Sequence, residues 1–169
     1  MVKRYCFDTS GISNPLETMP EDIHKSLWAH FSAFVLDNYI AVTQEIFDEM
    51  CHVTGDIGGL INQCKSTMVL ELGQPDWDWQ GYILHSKRML TDHRTCISEY
   101  TGGSAKTICL NDMTIIALAK TLGLPVVSME NPVKETGQTS KRKIPNICLA
   151  EGVEHLTFSD FLRREKLSF

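Results

Sequence analysis

Apolar positions in this 169-residue chain fall into short β-like runs that alternate with stripes at helical spacing. Residues 2–7, with the β-forming Val2, Tyr5 and Phe7, predict a strand that stops at the turn-forming Asp8-Thr9-Ser10-Gly11. Ile23, Leu27, Phe31, Phe34 and Val35 then recur at helical spacing. They predict an amphipathic helix over 21–38, its N-terminus complemented by Glu21 and Asp22. Residues 39–42 predict a second strand, and Thr43 is a natural cap for a helix over 44–53. Two more helices are expected over 56–68 and 77–91, separated by Gly73-Gln74-Pro75, with the Trp77-Asp78-Trp79 segment packing the second onto the core. Residues 100–104 predict a loop. Asn111 or Asp112 caps the next helix, whose Ile115, Leu118, Ala119 and Leu122 share a face before Gly123 and Pro125 stop it. A buried strand over 126–128, a polar mobile loop over 135–143, a short helix or strand from 144, an edge strand at 155–156 and a closing helix over 158–166 complete the pattern.

Helices alternating with short apolar strands are the pattern of an α/β fold. A length of 169 residues, with 43% hydrophobic and 22% charged, suits a single domain over 1–169, and no linker or repeat divides it. The net charge of -5 argues against nucleic-acid binding by bulk positive charge, while leaving local patches open. Six cysteines lie dispersed in apolar segments without Cys-x-x-Cys or finger spacing, so reduced, mostly buried thiols are expected. No signal-like core and no run long enough to span a bilayer is present, which predicts a cytoplasmic protein with no membrane partner.

Four scattered acids change this picture: Asp8 at a strand end, Glu49 on a helix, Asp112 at a helix start and Glu130 after a late strand. Helical geometry selects Glu49 within its segment. At 100° per residue it lies about 60° from the inward Ile46, whereas Glu45 is at about 100° and Asp48 is on the far side. Two carboxylates about 4 Å apart repel by roughly 4 kcal/mol at an effective dielectric near 20. Converging acids therefore bind a cation or stay partly protonated. Oxygen-only ligands select hard ions, Mg²⁺ or Mn²⁺.

Phe7-Asp8-Thr9-Ser10, Ile46-Phe47-Asp48-Glu49-Met50, the segment from Asp112 to Ala119 and Val126-Val127-Ser128-Met129-Glu130 together resemble the PIN domain of VapC-like toxin ribonucleases. The stretch from Lys143 to Val153 is similar to a PIN-like bacterial branch long described as a domain of unknown function. The resemblance implies a three-layer α/β/α fold with a mostly parallel sheet, and Asp8, Glu49, Asp112 and Glu130 around one or two Mg²⁺ or Mn²⁺ ions. Thr9 or Ser10, and Ser128, take the hydroxyl places of the pattern. Glu130 is a departure, since many PIN domains carry Asp near it. The implied activity is endoribonucleolytic cleavage of RNA by a toxin opposed by a cognate antitoxin, with a homodimer as the expected assembly. Lys87, Arg88, Arg94 and Lys141, Arg142 and Lys143 are the cations offered to an RNA backbone. A haloacid-dehalogenase-type phosphatase is disfavoured, because Ser10 stands where that family needs a second acid. The alternative that remains is a non-catalytic PIN-like module that binds RNA or protein.

Overall fold

The computed structural model describes residues 2–103, 107–134 and 141–167; parts of two expected loops, 104–106 and 135–140, lie outside them. Strand β1 (Tyr5–Phe7) is followed by helices α1 (Ser10–Thr18) and α2 (Lys25–Leu36), strand β2 (Ile40–Ala41), and helices α3 (Gln44–Met50), α4 (Gly55–Gln63), α5 (Lys65–Met68) and α6 (Trp79–Asp92). A 3₁₀ turn, Arg94–Cys96, leads to α7 (Ser98–Thr101), α8 (Leu110–Leu122), β3 (Val126–Val127), α9 (Ile144–Glu151), β4 (His155–Leu156) and α10 (Phe158–Arg164).

The four strands pair in the order β2-β1-β3-β4, and every pairing is parallel. Helices cover both faces, giving the three-layer α/β/α architecture expected from the sequence. Alternation along β1 explains the layering, since successive side chains point to opposite faces. Tyr5 and Phe7 meet Phe161 of α10 edge-on, as Phe7 does Phe31 of α2, while Tyr5 meets Phe34 of α2 at a tilt. Cys6 faces the other way, toward Cys148 of α9. Helix α8 lies against β1 and β3, with α6 and α9 packed on it.

Several boundaries differ from the sequence reading, each for a local reason. Val2 is 75% exposed and the first strand begins only at Tyr5. Asp8-Thr9-Ser10-Gly11 is more than a turn, because Ser10 opens α1, a helix that continues through Pro15 with Gly11, Ile12 and Pro15 buried. The second helix starts at Lys25, leaving Ile23 71% exposed, since the amides of Ile23 and His24 turn back to the Pro20 carbonyl. Glu21 serves a different helix: its carboxylate accepts from the amides of Asp56 and Ile57 and caps α4. The expected helix over 56–68 breaks at Cys64, so that Met68 and Val69 can run beside Val42 and prolong the sheet by one parallel rung. Tyr100 and Thr101, the first two residues of the expected 100–104 loop, belong instead to the short helix α7, closed by left-handed Gly102. The segment from 144 resolves as a helix, α9. Trp77 packs as expected, its ring against Tyr82 and its indole N–H on the Glu71 carbonyl.

The topology fixes where a ligand can enter. The chain leaves β1 for β2 on one side, then crosses to β3 on the other, so the carboxyl ends of β1 and β3 flank a topological switch point. Asp8 follows β1 and Ser128 follows β3 at that crevice.

Candidate acidic site

Asp8 is held where β1 hands over to α1. Its Oδ2 accepts from both the amide (3.0 Å) and the hydroxyl of Ser10. The same hydroxyl oxygen accepts from the Met129 amide at 3.1 Å, so Ser10 joins the end of β1 to the turn after β3. This approach is close: a β-carbon on Gly11 would lie 2.7 Å from the Val127 carbonyl oxygen, which only glycine avoids. Asp8 is 4% exposed.

Asp112 is the third residue of α8, not its cap. Cys109 is the cap, its sulfur accepting from the Asp112 amide at 3.4 Å, while Asp112 Oδ2 accepts from the Cys109 amide at 3.1 Å. This is a capping box with a thiol in the hydroxyl's place. One wall of the crevice is thus built from a helix start, and its carboxylate is pinned at one oxygen.

Glu49 is the half-buried acid of α3, while Glu45 and Asp48 are exposed, as helical phase predicts. Thr9 donates its hydroxyl to Glu49 Oε2 at 3.1 Å and Asn111 donates its amide to Oε1 at 2.6 Å. Glu130 is engaged differently: Lys143 Nζ donates to its Oε1 and the Ile144 amide to its Oε2, both at 2.9 Å, so it caps α9. Ser128 Oγ accepts from the Glu130 amide at 3.4 Å and bonds His155 Nε2 at 2.8 Å, which holds the turn that presents Glu130.

Electrostatics ties the four together. Burial pushes the Asp8 carboxyl above its ordinary range; the Ser10 bonds oppose this, and the charges of Glu130 and Glu49 add to it. Burial also dominates at Asp112, and the negative charge of Asp8 adds to it against the Cys109 bonds, bringing its pKa to about 7. His155 is pushed down by its burial, partly offset by the charges of Glu130 and Asp160. Among the described residues, no group of three or more His, Cys, Asp and Glu side chains is placed so as to hold a metal ion. The structure therefore brings together an electrostatically coupled set, in which Glu49 and Glu130 already have protein partners. The bonds from Ser10 to Asp8 and from the Cys109 amide to Asp112 both fall on Oδ2.

Glu49, alone of the four acids, borders a cleft of about 550 Å³ between α1, α3 and α4, whose walls also include Thr9, Glu17, Asp22 and His52. Its acidic lining suits a cation or hydrogen-bond donors better than a phosphate. The expected RNA-contacting cations are dispersed. Lys143 stands at the site on Glu130, with Lys141 and Arg142 just before it. Arg88 is committed elsewhere, to Glu151 and Asp92, and the Arg94 guanidinium lies 5.2 Å over the Tyr100 ring. Lys87 is exposed on α6.

Sequence reasoning missed Asn111 and Cys109. Asn111 sits beside Asp112, but its partner lies 62 residues away, and only the packing of α3 on α8 shows the pair. No helix among the described residues is long and apolar enough to cross a membrane. No curated protein matches the chain. The model of the family described as "Domain of unknown function (DUF4411)" matches residues 5–169, and the chain belongs to that family.

Proposed function

We propose that this chain is a metal-dependent endoribonuclease with a PIN-like site, acting as the toxin of a toxin-antitoxin pair. The observation that carries the reading is the coupling of Asp8, buried after β1, with Asp112, half-buried at the start of α8, both pushed toward protonation by loss of solvent and by nearby negative charge. Buried like charges of this kind are relieved by a cation, and an oxygen-only pair fits Mg²⁺ or Mn²⁺, which binds through one or two carboxylates and keeps several waters. Asp8 and Asp112 would hold it, the bonds from Ser10 and the Cys109 amide falling on Oδ2 of each. The chemistry supplied there would be polarisation of a scissile phosphate and a lowered pKa of bound water.

The chain's own groups do the rest. Ser10 and Cys109 fix the two aspartates in orientation. Glu49 accepts the proton of the water that attacks the phosphorus. Glu130, paired with Lys143, keeps α9 and its lysine at the crevice, where the ammonium meets a phosphate oxygen of the RNA. The acidic cleft beside Glu49 repels backbone phosphates, so the strand approaches from the side of Lys141 and Lys143.

The alternative, a non-catalytic module that binds RNA or protein, draws on the partners that Glu49 and Glu130 already have. Calorimetry with Mn²⁺ and a cleavage assay on single-stranded RNA separate the two. The expected result is Mn²⁺ binding and Mn²⁺-dependent cleavage, with Asp8→Asn reducing both by about 100-fold or more. If Mn²⁺ neither binds nor supports cleavage and Asp8→Asn matches the wild type, the binding module is the correct reading. Growth arrest on expression, relieved by a small neighbouring gene, tests the toxin role separately.

A further inference from the structure

Both oxygens of Glu49 are occupied, and the donors come from the residues next to the two aspartates. Thr9 follows Asp8 and Asn111 precedes Asp112. A carboxylate on a one-turn-plus helix such as α3 would otherwise swing freely about its side-chain torsions, and a group that must take a proton loses rate when misplaced by even an ångström. Here the two backbone segments that present Asp8 and Asp112 also fix the third acid, so the three carboxylates share one frame. Both bonds are donated to Glu49, an arrangement that matches an anionic acceptor of protons.

We infer that Asn111 is a positioning residue for Glu49, holding it as an oriented anion for proton transfer, with Thr9 as the second support. The inference rests on the nuclease reading and names a residue that the acid pattern does not contain. The Asn111 side-chain amide donates to Glu49, and among the described residues no hydrogen bond joins it to Asp8 or Asp112, so its role is orientation of Glu49 and not ligation.

Asn111 is the second residue of α8, which separates this role from a structural one. An aspartate near a helix N-terminus favours the helix dipole, so a purely structural position tolerates or prefers Asn111→Asp. A positioning role predicts the opposite for activity, because the new carboxylate faces Glu49 and has no proton to give it. Both Asn111→Ala and Asn111→Asp are therefore measured for Mn²⁺ affinity, thermal midpoint, kcat and KM on single-stranded RNA.

The expected result is a kcat lowered roughly 10- to 100-fold in Asn111→Ala, and further in Asn111→Asp, with Mn²⁺ affinity of Asn111→Ala within about threefold of the wild type and a similar midpoint. A second readout needs no metal and no activity. In the ¹⁵N-labelled protein without metal, the Asn111 side-chain amide signal shifts on Glu49→Ala and stays in place on Glu45→Ala, the exposed acid of the same helix. An unchanged kcat in both variants while Asp8→Asn abolishes cleavage overturns the positioning role and leaves the nuclease standing. An Asn111 signal indifferent to Glu49→Ala overturns it equally. A wild-type protein that binds Mn²⁺ but leaves RNA intact removes the nuclease reading, and this inference falls with it.

Discussion

Asp112 carries the largest consequence of any single residue, because its folded pKa of about 7 exceeds its ordinary value of 3.8. A carboxyl that binds its proton more tightly when folded contributes stability at low pH, and that contribution is lost as pH rises from about 4 through about 7. A shift of this size corresponds to a penalty on the order of 4 kcal/mol above pH 7 in the absence of a cation. The metal-free wild type is therefore expected to show a higher thermal midpoint at pH 5.5 than at pH 8. Asp112→Asn should weaken that dependence, leaving the part that the raised Asp8 carboxyl contributes, and raise the pH 8 midpoint by several degrees. His155 works in the opposite direction, since a histidine with a lowered pKa stabilises as pH rises, so the informative quantity is the difference between wild type and Asp112→Asn, in which the His155 contribution cancels. Saturating Mn²⁺ should raise the wild-type midpoint more at pH 8 than at pH 5.5 and leave Asp112→Asn almost unmoved; equal Mn²⁺ effects at both pH values would contradict the site. The acids themselves were legible because strand ends and helical phase mark them: Glu49 was separable from Glu45 and Asp48 by 100° arithmetic alone. Asn111 was not, because an amide beside an acid carries no periodic signal.

Helix starts explain most of what the sequence hid at the next scale. Helix α1 escaped because Asp-Thr-Ser-Gly reads as turn chemistry and Pro15 as a helix breaker; burial of Gly11, Ile12 and Pro15 overrides both. Glu21 reads as an N-terminal acid of its own helix, yet it caps α4, a contact between segments far apart in sequence. The cap of α8 is a cysteine, a residue outside the usual capping set, so Asn111 and Asp112 drew the assignment by type. That substitution has a measurable consequence. Burial and the Asp112 charge push the Cys109 thiol up to about 12, so it stays protonated, a weak acceptor for the Asp112 amide. Cys109→Ser supplies a stronger acceptor in the same box and is expected to hold or raise stability by a few tenths of a kcal/mol, whereas Cys109→Ala should lose about 1 kcal/mol. Urea unfolding of the two variants reads this directly, and a Cys109→Ala protein as stable as the wild type would show that the box does not hold the helix start.

At the scale of the molecule, α/β class was legible from alternation, but strand order was not: parallel strands of two or three residues pair across long loops, and nothing local encodes which neighbours meet. The charge distribution was likewise misleading for Arg88, which a tally of cations offers to RNA. Its guanidinium instead bonds Glu151, a buried carboxylate that also meets His93 Nε2 at 2.7 Å and Lys120 Nζ at 3.1 Å. One acid at the end of α9 thereby joins α6 and α8, on the face of the sheet opposite the aromatic cluster. Burial pushes the Glu151 carboxyl up, but the bonds from Arg88, His93 and Lys120 outweigh it and bring it down to about 2. A depressed carboxyl contributes stability above its unfolded pKa near 4.5 and loses it as pH falls toward 2, well below the window in which Asp112 titrates. Removing the acid takes the carboxylate from the Nε2 of buried His93 and one partner each from Arg88, which keeps Asp92, and Lys120, which keeps the residue-151 carbonyl, and costs about 3 kcal/mol by the logic of broken buried pairs. Arg88→Ala removes a half-exposed partner and should cost about 1 kcal/mol or less. Chemical denaturation at pH 7 should therefore rank wild type above Arg88→Ala above Glu151→Ala, and on acidification the wild type should lose stability between about pH 4.5 and 2 more steeply than Glu151→Gln. A Glu151→Ala protein no less stable than Arg88→Ala would mean that the three helices are held by apolar packing alone and that the carboxylate is incidental to the layer it joins.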